Sequence, residues 1–235
     1  MDLGLSGKRA VVLASSRGLG RGIAEALGEE GAHVLMLGRS GERLAEAAGA
    51  ITARGPGRAE HIVADLADPD FVAQVADAAE ARLGGVDVLV NNTGGPPPGG
   101  MAEADPDVMR GQFEMMVMRV VELTQRVLPG MRERGWGRVL TVASSGTIQP
   151  IPNLALSNAL RASLVGWSKS LASEVAAEGV TVNLLLPGRI QTERVDELDA
   201  ANAARQGRDI EEVRAAARGA IPAGRYGTVE EFASV

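Results

Sequence analysis

Short apolar segments alternate with longer amphipathic segments along most of this chain of 235 residues. The short segments are typical of strands buried on both faces, and the longer ones place apolar residues at helical spacing. Strands that alternate with helices of about ten or more residues are joined by right-handed crossovers, which build a parallel sheet covered on both faces. The pattern therefore predicts one doubly wound α/β domain over residues 1–235.

The predicted elements follow from where apolar runs begin and where capping residues end them. Strands are predicted at 9–14, 32–37, 61–64, 86–90, 139–142 and 180–186. Helices are predicted at 18–30, 41–54 after a cap at Ser40, 68–83, 105–134 and 154–178, and the Ala-rich stretch 191–219 is also expected to be helical.

Composition excludes several classes of function. Cys is absent, which rules out disulfide frameworks, thiolate metal sites and thiol nucleophiles, and His33 and His61 are too few for a histidine metal site. The formal net charge of -6 argues against nucleic-acid binding. No apolar run approaches the ~18 residues of a membrane span, and the first residues lack the basic lead of a signal peptide. We expect a soluble cytoplasmic protein with no metal, nucleic-acid or membrane partner.

The turn between the first strand and the first helix has the composition of a phosphate-binding loop. Such a turn directs free N–H groups and the positive end of the helix dipole at a pyrophosphate, and glycine lets the backbone approach it closely. A plain tight turn is the alternative interpretation of the same glycines. The candidate cofactor-binding residues here are Ser16, Arg17, Gly18, Leu19 and Gly20.

The end of the second strand indicates which dinucleotide fits. An NAD site carries Asp or Glu there to accept from the ribose 2′-hydroxyl, whereas this chain has Gly38-Arg39-Ser40. Arginine can bind a 2′-phosphate through two parallel hydrogen bonds, and Arg17 could reach the same group. We therefore predict NADP(H), with Arg39 as a solvated surface charge being the alternative.

Several further motifs occur in a fixed order along nearly the whole chain. They are Asp65-Leu66, Asn91-Asn92-Thr93-Gly94, Gly137 to Ser144, Gly166-Trp167-Ser168-Lys169-Ser170-Leu171-Ala172, Val182-Asn183 and Pro187-Gly188-Arg189-Ile190-Gln191-Thr192. With the phosphate turn, they make the chain resemble the classical short-chain dehydrogenase/reductase superfamily, and within it the 3-oxoacyl-acyl-carrier-protein reductases. The resemblance implies the strand order 3-2-1-4-5-6. It also implies cofactor contacts from Asp65 to adenine, from Asn91 along the groove, from Ile190 and Thr192 to the nicotinamide amide, and from Leu66, Thr93, Gly94, Pro187 and Gly188.

The chain departs from the family's pattern at the residues that carry catalysis. The family uses an Asn-Ser-Tyr-Lys tetrad, and alignment on Gly166 to Lys169 places Met115, Ser144, Ser157 and Arg161 at these positions. A serine hydroxyl is a far weaker acid than a phenol, while arginine keeps a positive charge for ribose hydroxyls. Ala14 also replaces a glycine of the family's phosphate turn.

Two functions remain open on this reading. The first is an NADP(H)-dependent oxidoreductase that interconverts a carbonyl and an alcohol, in which Ser144 binds the substrate oxygen, Arg161 binds ribose and Ser157 occupies the proton-donor position poorly. Its substrate is a small molecule or an acyl-carrier-bound group. The second is a catalytically silent nucleotide-binding or scaffold protein of the same fold.

The resemblance also bears on assembly and on the end of the chain. Helices 105–134 and 154–178 resemble those that pair between family subunits, which predicts a homodimer or homotetramer. Family members usually continue past the motif Gly224-Arg225-Tyr226-Gly227-Thr228-Val229-Glu230-Glu231 with a further helix, a seventh strand and a tail, and these are expected to be missing here.

Overall fold

Six strands form one parallel sheet in a computed structural model that describes residues 2–235. They are β1 (Arg9–Val12), β2 (His33–Gly38), β3 (Arg58–Val63), β4 (Val88–Asn91), β5 (Gly137–Val142) and β6 (Val180–Leu185). Their order is β3-β2-β1-β4-β5-β6, which confirms the predicted topology. β3 begins three residues before its predicted start. It lies at an edge of the sheet, where the partly solvated residues Arg58, Ala59 and Glu60 are tolerated and the apolar-run criterion does not detect them.

Nine α-helices are found among residues 2–235. They are α1 (Gly18–Glu29), α2 (Gly41–Arg54), α3 (Phe71–Leu83), α4 (Pro106–Phe113), α5 (Arg119–Glu133), α6 (Ala155–Val175), α7 (Glu193–Gln206), α8 (Ile210–Gly219) and α9 (Val229–Ala233). Ser40 caps α2 as predicted, since its side chain accepts a hydrogen bond from the backbone N–H of Arg43. No helix in residues 2–235 has both the length and the apolar character to cross a membrane.

Of the three long helical segments predicted from periodicity, two are interrupted and one ends in a different type of helix. The segment 105–134 is divided by one π-helical turn at Glu114–Met118, which contains no Pro or Gly that would mark the break. The segment 154–178 ends in a 3₁₀ turn at Ala176–Glu178, and 191–219 divides at Gly207, whose φ of +61° glycine adopts easily. Single π turns are frequent at functional sites.

The two faces of the sheet are covered by different helices because successive strand residues point to opposite sides. Val11 and Leu35 belong to the core cluster that faces α3 and α5, whereas Val12 and Met36 belong to the cluster that faces α1 and α2. All four side chains are at most 1% exposed. A third cluster joins the π turn and α5 to α6 through Met116, Val117, Val120, Leu160 and Leu164.

A buried ion-pair cluster holds the amino-terminal edge of the sheet together. Asp87 precedes β4 and has an 8% exposed side chain. Arg9, at the start of β1, donates to both of its carboxylate oxygens, at 2.7 and 2.6 Å, and Arg134 donates at 3.1 Å. Burial by itself raises the pKa of Asp87, but the hydrogen bonds and charge of Arg9 outweigh it, so the pKa is lowered.

The topology predicts a ligand crevice at the opposite side of the sheet, where the strands have their carboxyl ends. The chain winds outward in one direction from β1 to β3 and in the other direction from β4 to β6, so the strand order reverses between β1 and β4. In open parallel sheets, ligands bind in the crevice outside the carboxyl ends of the strands at this reversal. The residues that follow β1 and β4 are therefore those that form the candidate site.

Candidate functional site

The turn after β1 is held in a narrow shape by close backbone contacts. Gly18 has a φ of +57°, and a Cβ placed on Gly20 would lie 2.4 Å from the carbonyl oxygen of Ala14 and 2.7 Å from Nδ2 of Asn92. Asn92 Nδ2 lies 3.3 Å from the carbonyl oxygens of both Leu13 and Ala14, to which it donates. Asn92 thus joins the end of β4 to the turn, a role that the sequence analysis did not assign.

Ala14 adopts a φ of +46°, the left-handed region that glycine prefers. For an L-residue this conformation costs about 1–2 kcal/mol. The contacts that Gly20 and Asn92 make with the carbonyl oxygen of Ala14 hold the residue in this conformation.

The first turn of α1 has the free N–H groups that an anion requires. Arg17 is the residue before α1, and within the described residues no side chain caps this end of the helix. Ser15 is buried and its hydroxyl accepts from the backbone N–H of Leu37 at 2.9 Å, which fixes the turn against β2. The turn therefore presents an ordered set of backbone donors to the crevice.

We expect Gly20→Ala to weaken binding of a dinucleotide at this turn at least tenfold. The added methyl cannot be accommodated unless the backbone at Ala14 moves, and that movement disturbs the donors. Titration of NADPH against each purified protein measures the effect. Gly49→Ala is a matched control, because Gly49 lies within α2 and a Cβ there meets nothing within 4 Å. Equal affinities for wild type and Gly20→Ala would contradict this account of the turn.

The end of β2 carries positive charge and no acid. Arg39 is exposed, and no carboxylate of residues 2–235 lies within 4.0 Å of its guanidinium. Four residues after Arg39, Arg43 lies in the first turn of α2. The end of β3 also reaches this side, where the exposed carboxylate of Asp65 accepts from Ala67 N at 3.1 Å and Leu66 packs against the core.

The start of α7 lies across the crevice. The Thr192 methyl is 3.6 Å from the position of a Cβ on Gly18, and Glu193 forms ion pairs with Arg17 and Arg43. On the other side of the crevice, Arg194 Nη2 donates to the carbonyl oxygen of Pro96 at 2.9 Å. The first turn of α7 therefore connects the phosphate turn and α2 to the loop after β4, through contacts between residues far apart in sequence.

The residues at three of the tetrad positions surround the ends of β4 and β5. Ser144 is half-buried and its Oγ accepts from Gly146 N at 3.1 Å. Ser157 lies half-buried in the first turn of α6, and Arg161 lies one turn later. Met115 is half-buried in the π turn, so the structure places a thioether where the resemblance puts an amide.

Arg161 holds the ends of two strands together. Its guanidinium donates to the carbonyl oxygens of Val142 at 2.7 Å, Gly94 at 3.2 Å and Thr93 at 3.4 Å. Arg161 is 8% exposed, and burial together with the charge of Arg194 lowers its pKa to about 10. No carboxylate of residues 2–235 pairs with it, so its charge is balanced only by carbonyl dipoles at the crevice.

Asparagine side chains order the loops beside these positions. Asn158 Oδ1 accepts from Ile151 N at 3.3 Å and its Nδ2 donates to Ile151 O at 2.9 Å, which fixes the loop after Ser144. Asn91 is 1% exposed and donates to Thr124 at 3.1 Å, while its Oδ1 has no partner among the described residues. No motif in the sequence indicates this role for Asn158, although the residue directly follows Ser157.

Tyr226, the one tyrosine of the chain, is engaged elsewhere. Its hydroxyl donates to the buried carboxylate of Asp199 at 2.9 Å and lies 3.2 Å from Nη1 of Arg189. Burial and the Asp199 hydrogen bond raise the pKa of Tyr226. The strand-like contact between Ile190 and Gly227 holds this segment beside the Pro187-Gly188 turn. Tyr226 therefore supports the segment that leads into α7.

Comparisons with known proteins agree on one family. The family model described as short chain dehydrogenase matches residues 8–203. The 3-oxoacyl-[acyl-carrier-protein] reductase FabG of Salmonella typhimurium is 32% identical over 234 residues, which cover 99% of this chain and 89% of the relative.

Two solved structures extend this likeness to three dimensions. L-Sorbose reductase from Gluconobacter frateurii, solved with NADPH and L-sorbose, has a TM-score of 0.92 and 34% identity, with 100% of this chain and 89% of that chain covered. A 3-oxoacyl (acyl-carrier-protein) reductase from Agrobacterium tumefaciens C58 with NADP bound has a TM-score of 0.87 and 30% identity, with 98% and 86% covered.

Proposed function

The chain belongs to the short-chain dehydrogenase family, and from that membership we propose that it is an NADP(H)-dependent oxidoreductase acting on carbonyl and alcohol groups. The observation that carries this proposal is the turn after β1, in which a Cβ on Gly20 would collide with the carbonyl oxygen of Ala14 and which has positively charged side chains beside it. Related proteins solved with NADPH or NADP support the choice of cofactor. We also propose that residues 1–235 act as one dinucleotide-binding unit.

The crevice suits a dinucleotide with a 2′-phosphate. Backbone N–H groups at the start of α1 would bind the pyrophosphate, and Arg17 and Arg39 would bind the extra phosphate. Asn91, Thr93 and Gly94 border the middle of the groove. The remaining predicted contacts would come from Ser16, Leu19, Asp65, Leu66, Pro187, Gly188, Ile190 and Thr192.

The bound cofactor supplies or accepts a hydride at its nicotinamide ring. The Ser144 hydroxyl would donate a hydrogen bond to the oxygen of a carbonyl substrate held beside that ring. Ser157 cannot match a phenol as an acid, so a water molecule would complete proton transfer. Arg161 would act mainly by fixing the carbonyl ends of β4 and β5, with ribose contact as a further predicted role. Loss of a general acid costs about 10²–10⁴-fold, whereas alignment of reactants can supply ~7–11 kcal/mol, so slow turnover is expected.

Steady-state oxidation of NADPH against a panel of ketones, including 3-oxoacyl thioesters, tests the reaction. We expect slow turnover with at least one substrate, and we expect Ser144→Ala to lower that rate at least tenfold through loss of the carbonyl hydrogen bond. Ser145→Ala is the matched control, since Ser145 is the exposed neighbour. No turnover above the buffer rate with any substrate would contradict an enzymatic role.

A second candidate function is a catalytically silent nucleotide-binding or scaffold protein. The observation that favours it is the commitment of Tyr226 to Asp199, which leaves no phenol beside Ser144 and Ser157 in the described structure. Binding of NADPH without turnover would support this function.

Self-association into a dimer or tetramer through α4, α5 and α6 remains a proposal that light scattering of the purified chain would test. Val108, Phe113 and Val165 expose apolar surface on these helices.

A further inference from the structure

Two arginines at the starts of different helices share one carboxylate beside the phosphate turn. Arg17 precedes α1 and Arg43 lies in the first turn of α2, while Glu193 is the first residue of α7. Arg17 Nη1 donates to Oε2 of Glu193, and Arg43 Nη1 lies 3.3 Å from both of its oxygens. These contacts join residues more than 140 positions apart and close α7 over the phosphate turn.

This carboxylate lies where the fold positions the adenosine ribose. The end of β2 and the turn after β1 border the ribose that carries the 2′-substituent in doubly wound dinucleotide sites. Arg43 enters α2 directly after that strand end, and Arg17 belongs to that turn. An anion between these two guanidinium groups therefore occupies the place of a 2′-phosphate.

The ion pairs that Glu193 forms are weak enough for a ligand to replace. The side chains of Arg17, Arg43 and Glu193 are 44%, 51% and 54% exposed, and solvent screening makes ion pairs between exposed side chains weak. A phosphate group brings about -1.5 to -2 charges and three acceptor oxygens, against one charge and two oxygens for a carboxylate. A phosphorylated dinucleotide can thus compete successfully with Glu193.

We propose that Glu193 is an internal competitor for the 2′-phosphate of the cofactor, and that Arg43, with Arg17, determines the preference for NADP(H). This inference rests on the proposed function and adds a residue that the end of β2 alone did not indicate. In the cofactor-free chain Glu193 pairs with both arginines, Glu197 Oε1 lies 3.5 Å from Nη2 of Arg17, and these pairs hold the start of α7 over the turn. When the 2′-phosphate binds, it replaces Glu193 as the partner of the Arg17 and Arg43 guanidinium groups. The start of α7 then loses its ion pairs with both arginines.

Dissociation constants of NADPH and NADH for wild type, Arg43→Ala and Glu193→Gln test the proposal. Arg43→Ala is expected to weaken NADPH about tenfold, because a charge-assisted hydrogen bond is lost, and to change NADH less than about twofold. Glu193→Gln is expected to tighten NADPH about threefold to tenfold, because its amide no longer competes for the cations. Arg54→Ala is the matched control, since Arg54 is exposed in the last turn of the same helix.

Adenosine 2′,5′-bisphosphate and AMP provide a second probe pair, which differs only in the 2′-phosphate and lacks nicotinamide. The same variants should change the affinity of the bisphosphate and leave that of AMP within about twofold. Equal effects of Arg43→Ala on the affinities for NADPH and NADH would overturn the inference, as would an unchanged NADPH affinity in Glu193→Gln. A wild type that still prefers NADPH would in that case preserve the proposed function. A wild type that binds neither dinucleotide would overturn both.

Discussion

Replacing Ser157 by tyrosine together with Arg161 by lysine should raise the turnover rate by about 10²–10⁴-fold, the range that general acid–base catalysis supplies. The change puts a phenol at the start of α6 and an ammonium one helical turn later, where it can lower the pKa of the phenol. Both positions lie next to the loop that holds Ser144. The phenol would then donate the proton that Ser157 cannot.

The rate of NADPH oxidation with the best ketone of the panel measures this effect, normalised to folded protein by circular dichroism. Ser170→Tyr with Arg161→Lys is the control, because Ser170 is exposed on the same helix, away from the crevice. Arg161→Lys alone separates the contribution of the phenol. If the paired variant is no faster than Arg161→Lys alone, Ser157 does not face the reacting carbonyl.

Removing the carboxylate at the amino-terminal edge should destabilise the fold strongly. Asp87→Ala leaves Arg9 and Arg134 without their shared anion, and breaking a buried ion pair in this way costs about 3–5 kcal/mol. The lower end of this range applies, since the Arg9 and Arg134 side chains are 21% and 35% exposed. A loss of about 3 kcal/mol corresponds to a fall of about 6–12 °C in Tm for a domain of this size.

Urea unfolding of the wild type and Asp87→Ala measures the difference. The pKa of Asp87 is lower in the folded chain, so its contribution is complete above about pH 5 and is lost as pH falls through about 4 toward the lowered folded value. The two proteins should therefore converge in stability toward acid pH. Asp77→Ala, at an exposed site on α3, should change stability by no more than about 0.5 kcal/mol. A difference that did not depend on pH would contradict this role for the Asp87 carboxylate.

The fold was predictable because its signals are local. Each strand of the sheet interior is a short apolar run, and alternation with helices leaves few topologies for a parallel sheet. The phosphate turn was predictable for the same reason, since Gly18 and Gly20 follow a strand and open a helix. The π turn at Glu114–Met118 was not, because neither Pro nor Gly marks it.

The contacts that complete the site could not be predicted from local patterns. Glu193 meets Arg17 and Arg43 only because the start of α7 reaches the amino-terminal ends of α1 and α2, and no spacing in the sequence encodes that approach. The buried arrangement of Arg161 likewise depends on carbonyl oxygens at the ends of β4 and β5, which any residue type provides. The residue types of the site could therefore be predicted from the sequence, whereas their hydrogen-bond and ion-pair partners could be identified only in the tertiary structure.

Calorimetric titration of the purified chain with NADPH and with NADH tests the central claim most directly. We predict saturable heat with NADPH and an affinity at least about tenfold higher than for NADH, as expected when arginine binds the 2′-phosphate. No heat with either coenzyme, or tighter binding of NADH than of NADPH, would contradict the account.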